Sequence, residues 1–335
     1  MYLASFNHNG VNRVGFRTAS GNLVDIAAAA QATGLLTSVP ADMAEVVAAG
    51  AALQDDLRSL AQAAESLVDL HIAQDAVRWL PPLQRPGKIV GVAMNNSASD
   101  ARKISAPAHP MFFLKAGSSL IGHKDPIVVR RYYGGVHPEP ELAVVIGTRA
   151  HRVDPTKALE HVFGYTILND LTGNDMRGQD MVHYYALYAS AQNADELERR
   201  EQHLSYAARY KGTDGFAPMG PWIATRDEIP DPGVLDVDCT VGGETIAQDS
   251  TRYLTYSVPE IIAFLSRFQT LEPGDIISMG TAFRPVAGSK RSLHTADLQR
   301  RDGPVTVTIQ NIGTLENSVE RIDEELGEWQ LVREV

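Results

Sequence analysis

Only one cysteine, Cys239, occurs in 335 residues. No internal disulfide and no tetrathiolate zinc site can form, and a reducing cytoplasm is the expected compartment. Basic charge is also scarce: 30 Lys and Arg face 41 Asp and Glu, a net charge of -11. That balance argues against a nucleic-acid phosphate backbone or an anionic membrane as the main partner. Apolar runs never approach the ~18 residues of a membrane span, and the opening MYLASFNHNG lacks the basic-then-apolar layout of a secretory signal. Fixed-period repeats and low-complexity tracts are missing, which removes collagen, coiled-coil and solenoid readings. No βαβ alternation carries a glycine-rich phosphate loop, so a dinucleotide fold is not expected. The composition, 44% hydrophobic, suits a soluble acidic protein long enough for one large domain plus a small one.

The first residues alternate like short strands, in YLASF, VNRVGFRT and LVDI, with turn residues between them. Helices are expected next. Pro40 suits a first turn, Gly50 a stop, and Leu53, Leu57, Leu60, Ala64 and Leu67 recur on one helical stripe. Residues 1–78 therefore read as a small α+β domain. WLPPLQRPGK, residues 79–88, has three prolines and a glycine and reads as a stiff extended linker, though an irregular loop within one domain fits equally. Residues 89–335 form the second domain, mostly β. GKIVGVAM is a compact strand, LDVDCTV and PVTVTIQ alternate, and Gly242-Gly243 suits a hairpin turn before ETIAQ. Cys239 falls on the apolar face of its strand, as a small core residue. Two helices are expected: TKALEHVF, from the Asp154-Pro155 start to Gly164, and the segment after Ser257 and Glu260, which have capping-box spacing.

The most informative segment is HPEPELAVVIG. On a strand, Glu139 and Glu141 point to the same face, and two carboxylates there repel by about 2 kcal/mol at an effective dielectric near 20. A strongly apolar run follows, so burial would cost more unless a cation or a proton is shared. Asp170, ending GYTILND, is the candidate third oxygen ligand, and magnesium suits such a set. Spacing alone leaves a second reading open, in which the glutamates lie at a wet strand edge and Asp170 caps a turn.

The order GVAMN, PMFFLKAGSSLIGHKDPIVV, EPELAVVIG, HVFGYTILND, KGTDGFAPMGPW and LEPGDIISMGT resembles the fumarylacetoacetate hydrolase superfamily over residues 88–319. That resemblance implies an α+β, mostly β protein: a mixed β-sandwich roll catalytic domain preceded by a small α+β domain, acting as a homodimer. It implies a metal triad of Glu139, Glu141 and Asp170 that holds Mg2+, with Mn2+ or Ca2+ as other possible occupants. The substrate implied is a small carboxylate, a 2-oxo acid or a 1,3-dicarbonyl compound, whose enolate the metal stabilises. Lys211 matches the lysine beside the metal, and Thr281 a substrate-contacting threonine. Gly280 lets the backbone approach a ligand, and Gln179 and Lys115 are weaker candidates for the pocket wall.

Three departures qualify the resemblance. Where hydrolytic members carry a His-x-x-Glu pair, this chain has Ser99 and Arg102, a poor water activator. Asp100 or His137 is the candidate substitute base. An arginine position after the metal aspartate falls on Asn174, with Arg177 three residues later as a possible carboxylate clamp. Finally, residues 182–210 form an extra segment whose DELERREQHLSYAARY portion reads as helical. It fits a tyrosine-rich lid, a dimer contact or a surface excursion. The function expected is Mg2+-dependent hydrolysis of a C–C bond in an acylpyruvate-like or 1,3-diketo acid. The alternative is a lyase, either a dehydratase of a 2-oxo-3-deoxy sugar acid or a 2-oxo acid decarboxylase. The intact acidic residues and Lys211 disfavour a non-catalytic binding protein.

Overall fold

Short alternating segments pair with one another to make the centre of the molecule. In the computed structural model, which describes residues 1–97, 103–281 and 295–327, the N-terminal alternation becomes three antiparallel strands, Tyr2–His8, Val11–Arg17 and Leu23–Asp25. Asp25 then caps the helix Ile26–Thr33, which Gly34 closes at φ 68°. Asp42 caps Met43–Ala49. The helix Ala51–Ala64 buries Leu57, Leu60 and Ala64 on one stripe, as the spacing predicts.

The main sheet is mixed. Its order runs Leu23–Asp25, Val11–Arg17, Tyr2–His8, Ala217–Thr225, Val162–Asn169, Pro140–Ile146, Ile276–Ser278, Ile89–Ala93, Met111–Lys115. Only the pairing of Ile276–Ser278 with Ile89–Ala93 is parallel along this path. Tyr2 lies opposite Ala224 and Leu3 opposite Ile223, so the N-terminal strands extend the sheet formed by the later ones. Every residue of Pro140–Ile146 is buried, because both faces are covered. Ala143 and Val145 pack with Leu57, Leu60 and the rest of the N-terminal helical core. Leu142, Val144 and Ile146 pack on the other side with Val237, Cys239, Val305 and Val307. Those last residues belong to a four-stranded antiparallel sheet, Glu244–Ser250, Asp236–Val241, Val305–Ile309, Gly313–Asn317. The fold is thus α+β and mostly β, with strands layered on both sides of one apolar interior.

Local signals account for many boundaries. Asp236–Val241 alternates as expected, with Val237, Cys239 and Val241 buried. Gly242 and Gly243 turn at φ 60° and 78° into the next strand, which suits a primed hairpin turn. Ser257 and Glu260 form a capping box at Val258–Phe268. Two expectations fail. TKALEHVF is not an α-helix: a 3-10 turn covers Pro155–His161, and Val162 already begins the strand to Asn169. Gly164 lies inside that strand because a Cβ there would stand 2.3 Å from the carbonyl oxygen of Ala224 on the neighbouring strand. Most of the extra segment is also not helical: it forms a hairpin of Met181–Ala189 and Leu197–Ser205, and only its last residues enter the short helix Ala208–Gly212. Cross-strand contacts override its helical composition: Arg199 lies over the Tyr185 ring at 4.6 Å, and Arg200 over Tyr188 at 4.9 Å. Among the described residues, no helix is long and apolar enough to cross a membrane.

The glycine environments predict a contrast. Gly164→Ala should cost about 2 kcal/mol or more through overpacking against backbone. Gly243→Ala meets open space and should cost about 1 kcal/mol for its left-handed backbone. Urea unfolding of both variants, read as the midpoint shift, measures the difference.

Candidate metal centre

The site lies at one end of the central strand pair. Pro140–Ile146 begins where the antiparallel Val162–Asn169 ends, with Pro140 opposite Asn169 and Glu141 opposite Leu168. Glu139 and Glu141 at the start of one strand therefore meet Asp170, which follows the end of the other. The backbone fixes the corner: Asp170 N donates to the Glu139 carbonyl at 2.9 Å, and Glu139 N donates to Asn169 Oδ1 at 2.9 Å. One oxygen from each carboxylate falls within 4.8 Å of the others.

Two lysines enter this cluster. Lys115, at the end of Met111–Lys115, donates to Asp170 Oδ1 at 2.5 Å and to the carbonyl of Lys211. Its side chain is fully buried. Lys211, from the short helix Ala208–Gly212, donates to Asp170 Oδ2 at 2.6 Å and Glu139 Oε2 at 2.8 Å. Its ammonium also lies 5.5 Å from the centre of the Phe113 ring.

The loop after Ile276–Ser278 closes the other side. Ser278 Oγ donates to Glu141 Oε2 at 2.5 Å and Gly280 N to the same oxygen at 3.0 Å, while Thr281 Oγ1 lies 3.0 Å from Glu139 Oε2 and 3.1 Å from Glu141 Oε1 and shares its one proton between them. Gly280 sits at φ 91°, and a Cβ there would meet Val92 O and Asn95 Cβ at 2.9 Å, so the approach needs glycine. Asn95 Nδ2 donates to Met279 O at 2.8 Å, and Asn96 Nδ2 donates to Thr281 O at 2.6 Å, which holds this loop against the end of Ile89–Ala93.

His137 lies behind Glu139. Asn174 Nδ2 donates to its Nδ1 at 2.7 Å, and its Nε2 lies 3.0 Å from Glu139 Oε1. With Nδ1 accepting, Nε2 carries the proton donated to the carboxylate. Thr172 Oγ1 also donates to Glu139 Oε1, at 2.7 Å.

Charge explains the need for these partners. Burial would raise the Glu139 carboxyl, but the Lys211 ammonium and the His137 hydrogen bond hold it well below the usual carboxylate range. Among the described residues Glu141 has no ammonium in direct contact, and burial, together with the charges of Asp170 and Glu139, raises it to about 8. Burial, aided by Lys211, lowers the Lys115 ammonium against the pull of Asp170. For Lys211 burial also acts downward, but Asp170, Glu139 and Glu141 prevail and raise it. Among the described residues, three carboxylates against two ammonium groups leave an excess of negative charge, and its effect falls on Glu141, whose carboxyl is the one raised. An all-oxygen donor set with such an excess fits a hard divalent cation held by Glu139, Glu141 and Asp170.

Of the residues singled out by sequence, Glu139, Glu141, Asp170, Lys211, Thr281, Gly280, His137 and Lys115 converge here. Arg177 and Gln179 instead lie exposed on the helix Asn174–Gln179, where Gln179 Oε1 accepts from Arg209. Asp100, like Ser99 and Arg102, lies outside the described residues. Sequence reasoning missed Thr172 and Ser278, and it placed Asn174 only as a departure from an arginine position, not as the partner of His137. Their only signal is proximity: Thr172 follows Asp170 by two positions, and Ser278 precedes Gly280 by two.

Residues 88–320 match the family model for the fumarylacetoacetate hydrolase C-terminal domain. Among solved structures, the chain is similar to fumarylacetoacetate hydrolase from Exiguobacterium antarcticum, at 29% identity over 96% of this chain and 100% of that one, with a TM-score of 0.69. Maleylpyruvate hydrolase from Sphingobium sp. SYK-6, in complex with manganese and pyruvate, is 28% identical over 96% and 99% of the two chains, with a TM-score of 0.67. For 2-hydroxyhepta-2,4-diene-1,7-dioate isomerase from Mycobacterium marinum the identity is 25%, over 96% and 98%, with a TM-score of 0.63.

The burial of Lys115 yields a prediction independent of turnover. Lys115→Met leaves Asp170 short of a cation and the Lys211 carbonyl short of a donor, and should cost about 3–5 kcal/mol in denaturant unfolding. Loss below about 1 kcal/mol would contradict the pairing described.

Proposed function

The chain belongs to the fumarylacetoacetate hydrolase superfamily, and on that premise we propose that it is a Mg2+-dependent hydrolase cleaving a C–C bond in an acylpyruvate-like or 1,3-diketo acid. The observation that carries this reading is the convergence of Glu139, Glu141 and Asp170 beside Lys211 and Thr281. The similarity to a maleylpyruvate hydrolase holding manganese and pyruvate supports a divalent ion and a 2-oxo acid as the ligands. Oxygen-only donors favour Mg2+, with Mn2+ or Ca2+ as the other hard ions that suit them. The same reading takes the protein as a cytoplasmic homodimer.

Held by Glu139, Glu141 and Asp170, a divalent ion would supply positive charge next to the oxo and carboxylate oxygens of the substrate, where negative charge develops as the C–C bond breaks. The protein's own groups do the rest. Lys211, kept charged by its carboxylate neighbours, offers a fixed ammonium to the substrate. Thr281 presents a hydroxyl, and Gly280 lets the backbone come close. His137, buried with Asn174 on one nitrogen and Glu139 near the other, acts in this reading by orienting Glu139. Lys115 does the same for Asp170. Asp100 remains the candidate base for activating water. Arg177 and Gln179 would meet only a substrate long enough to reach their exposed helix.

A second reading rests on Ser99 and Arg102 at the dyad positions. A lyase, dehydrating a 2-oxo-3-deoxy sugar acid or decarboxylating a 2-oxo acid, needs no water-activating pair, and the similarity to an isomerase supports chemistry at this centre without hydrolysis.

The deciding experiment is a screen of 2-oxo acids with added Mg2+, run in 18O-labelled water and read by product mass. Hydrolysis places label in a product carboxylate. Dehydration keeps the carbon number and loses water, and decarboxylation loses CO2. Chelation should abolish turnover and Mg2+ should restore it; full activity after chelation, or in Asp170→Asn, would overturn the metal reading. Thr281→Ala should lower kcat/KM by about 100-fold, as loss of a donor to developing charge does.

A further inference from the structure

Away from the acidic centre, the hairpin of Met181–Ala189 and Leu197–Ser205 carries a second set of converging ligand atoms. His183 lies directly opposite His203 in the antiparallel register. Glu201 is two residues before His203 and so faces the same side. The two imidazole rings stack with centroids 4.0 Å apart and planes 9° from parallel. Glu201 Oε1 lies 2.5 Å from His183 Nε2 and 4.0 Å from His203 Nε2. One donor atom from each of the three residues falls within 4.8 Å of the others. Their side chains are 52%, 56% and 60% exposed, so a hydrated ion can reach them without any rearrangement of the core.

We propose that His183, Glu201 and His203 form a second metal site, one that takes a borderline transition ion such as Zn2+. Two imidazoles and one carboxylate match the ligand preference of Zn2+ and leave a fourth position for water. The acidic centre, with oxygen donors alone, suits harder ions. Cross-strand pairing fixes both histidine backbones, so binding has only the exposed side-chain torsions to order, the stacked rings turning to bring one nitrogen of each to a common point. The hairpin forms its own two-stranded sheet, and such a ribbon is marginally stable without further support. An ion bridging residue 183 on one strand to 201 and 203 on the other would lock their register. The role assigned is therefore structural. It does not depend on which reaction the acidic centre performs.

The test uses the full-length protein in excess Mg2+, which occupies the acidic centre, titrated with Zn2+ in a calorimeter. One equivalent should bind per chain. His183→Ala and His203→Ala should each weaken it by at least about tenfold, and Glu201→Gln should weaken it less. These side chains are exposed, so circular dichroism should be unchanged. Substituting Cu2+ should give a paramagnetic resonance spectrum with coupling to imidazole nitrogen, lost in the double histidine variant. Zn2+ should also slow tryptic cleavage at Arg199 and Arg200 in the wild type and not in His203→Ala. Equal Zn2+ affinity in the wild type and both histidine variants, or a Cu2+ spectrum without nitrogen coupling, would overturn the site and leave the His183–Glu201 contact as an ordinary cross-strand hydrogen bond.

Discussion

Glu139, Glu141, Asp170, Lys115 and Lys211 share one largely water-excluded corner of the molecule, and much of the surrounding structure exists to make that tolerable. Removing an ion from water costs several kcal/mol even after relaxation. Each charge is accordingly met: Asp170 by two ammonium groups, Glu139 by Lys211, Thr172 and Thr281, and Glu141 by Ser278, the Gly280 amide and Thr281. Among the described residues Glu141 is the least compensated of the three carboxylates, with no ammonium in contact, and burial and its acidic neighbours raise its carboxyl. A corner balanced in this way has room for one more cation and little tolerance for losing any member.

The strands make the corner possible. An antiparallel pair brings the start of one strand beside the end of the next, so residues about thirty positions apart meet across the connection that carries the 3-10 turn Pro155–His161. Burial of Pro140–Ile146 on both faces lowers the local dielectric, which strengthens each pairing and makes each unpaired group more costly. The close approach of the 278–281 segment then depends on a single missing Cβ at Gly280. Asn95 and Asn96 hold that segment through its carbonyls rather than its side chains, which leaves Thr281 Oγ1 directed at the carboxylates.

Local patterns in the sequence reveal those parts of the fold that local physics decides. Alternation over Asp236–Val241, the Gly242-Gly243 turn and the Ser257/Glu260 cap are decided within a few residues, and all three appear in the structure. Where the sequence misleads, a partner far along the chain has overruled local preference. Val162 and Phe163 join a strand despite following a capped turn, because Ile146 and Ala224 lie alongside that strand. The 197–205 segment has helical composition and yet pairs with Tyr-rich 181–189. Lys115 shows the same limit at the site. The ordered motifs shared with a family include PMFFLKAG and so pointed to Lys115 as a pocket residue, but no spacing marks its contact with Asp170, whereas the acidic residues were visible through their spacing as well. Hydroxyls such as Thr172 and Ser278 carry no pattern of their own.

The order of strands in the main sheet has a kinetic corollary. Val162–Asn169 and Pro140–Ile146 can meet early as near neighbours in the chain, but Ile276–Ser278 must return across more than a hundred residues, and Met111–Lys115 reaches the same end only through Ile89–Ala93. Loop closure over such distances is slow compared with hairpin formation. During refolding, high affinity for the ion should therefore lag behind the recovery of secondary structure and mark the moment at which the last central strand has docked.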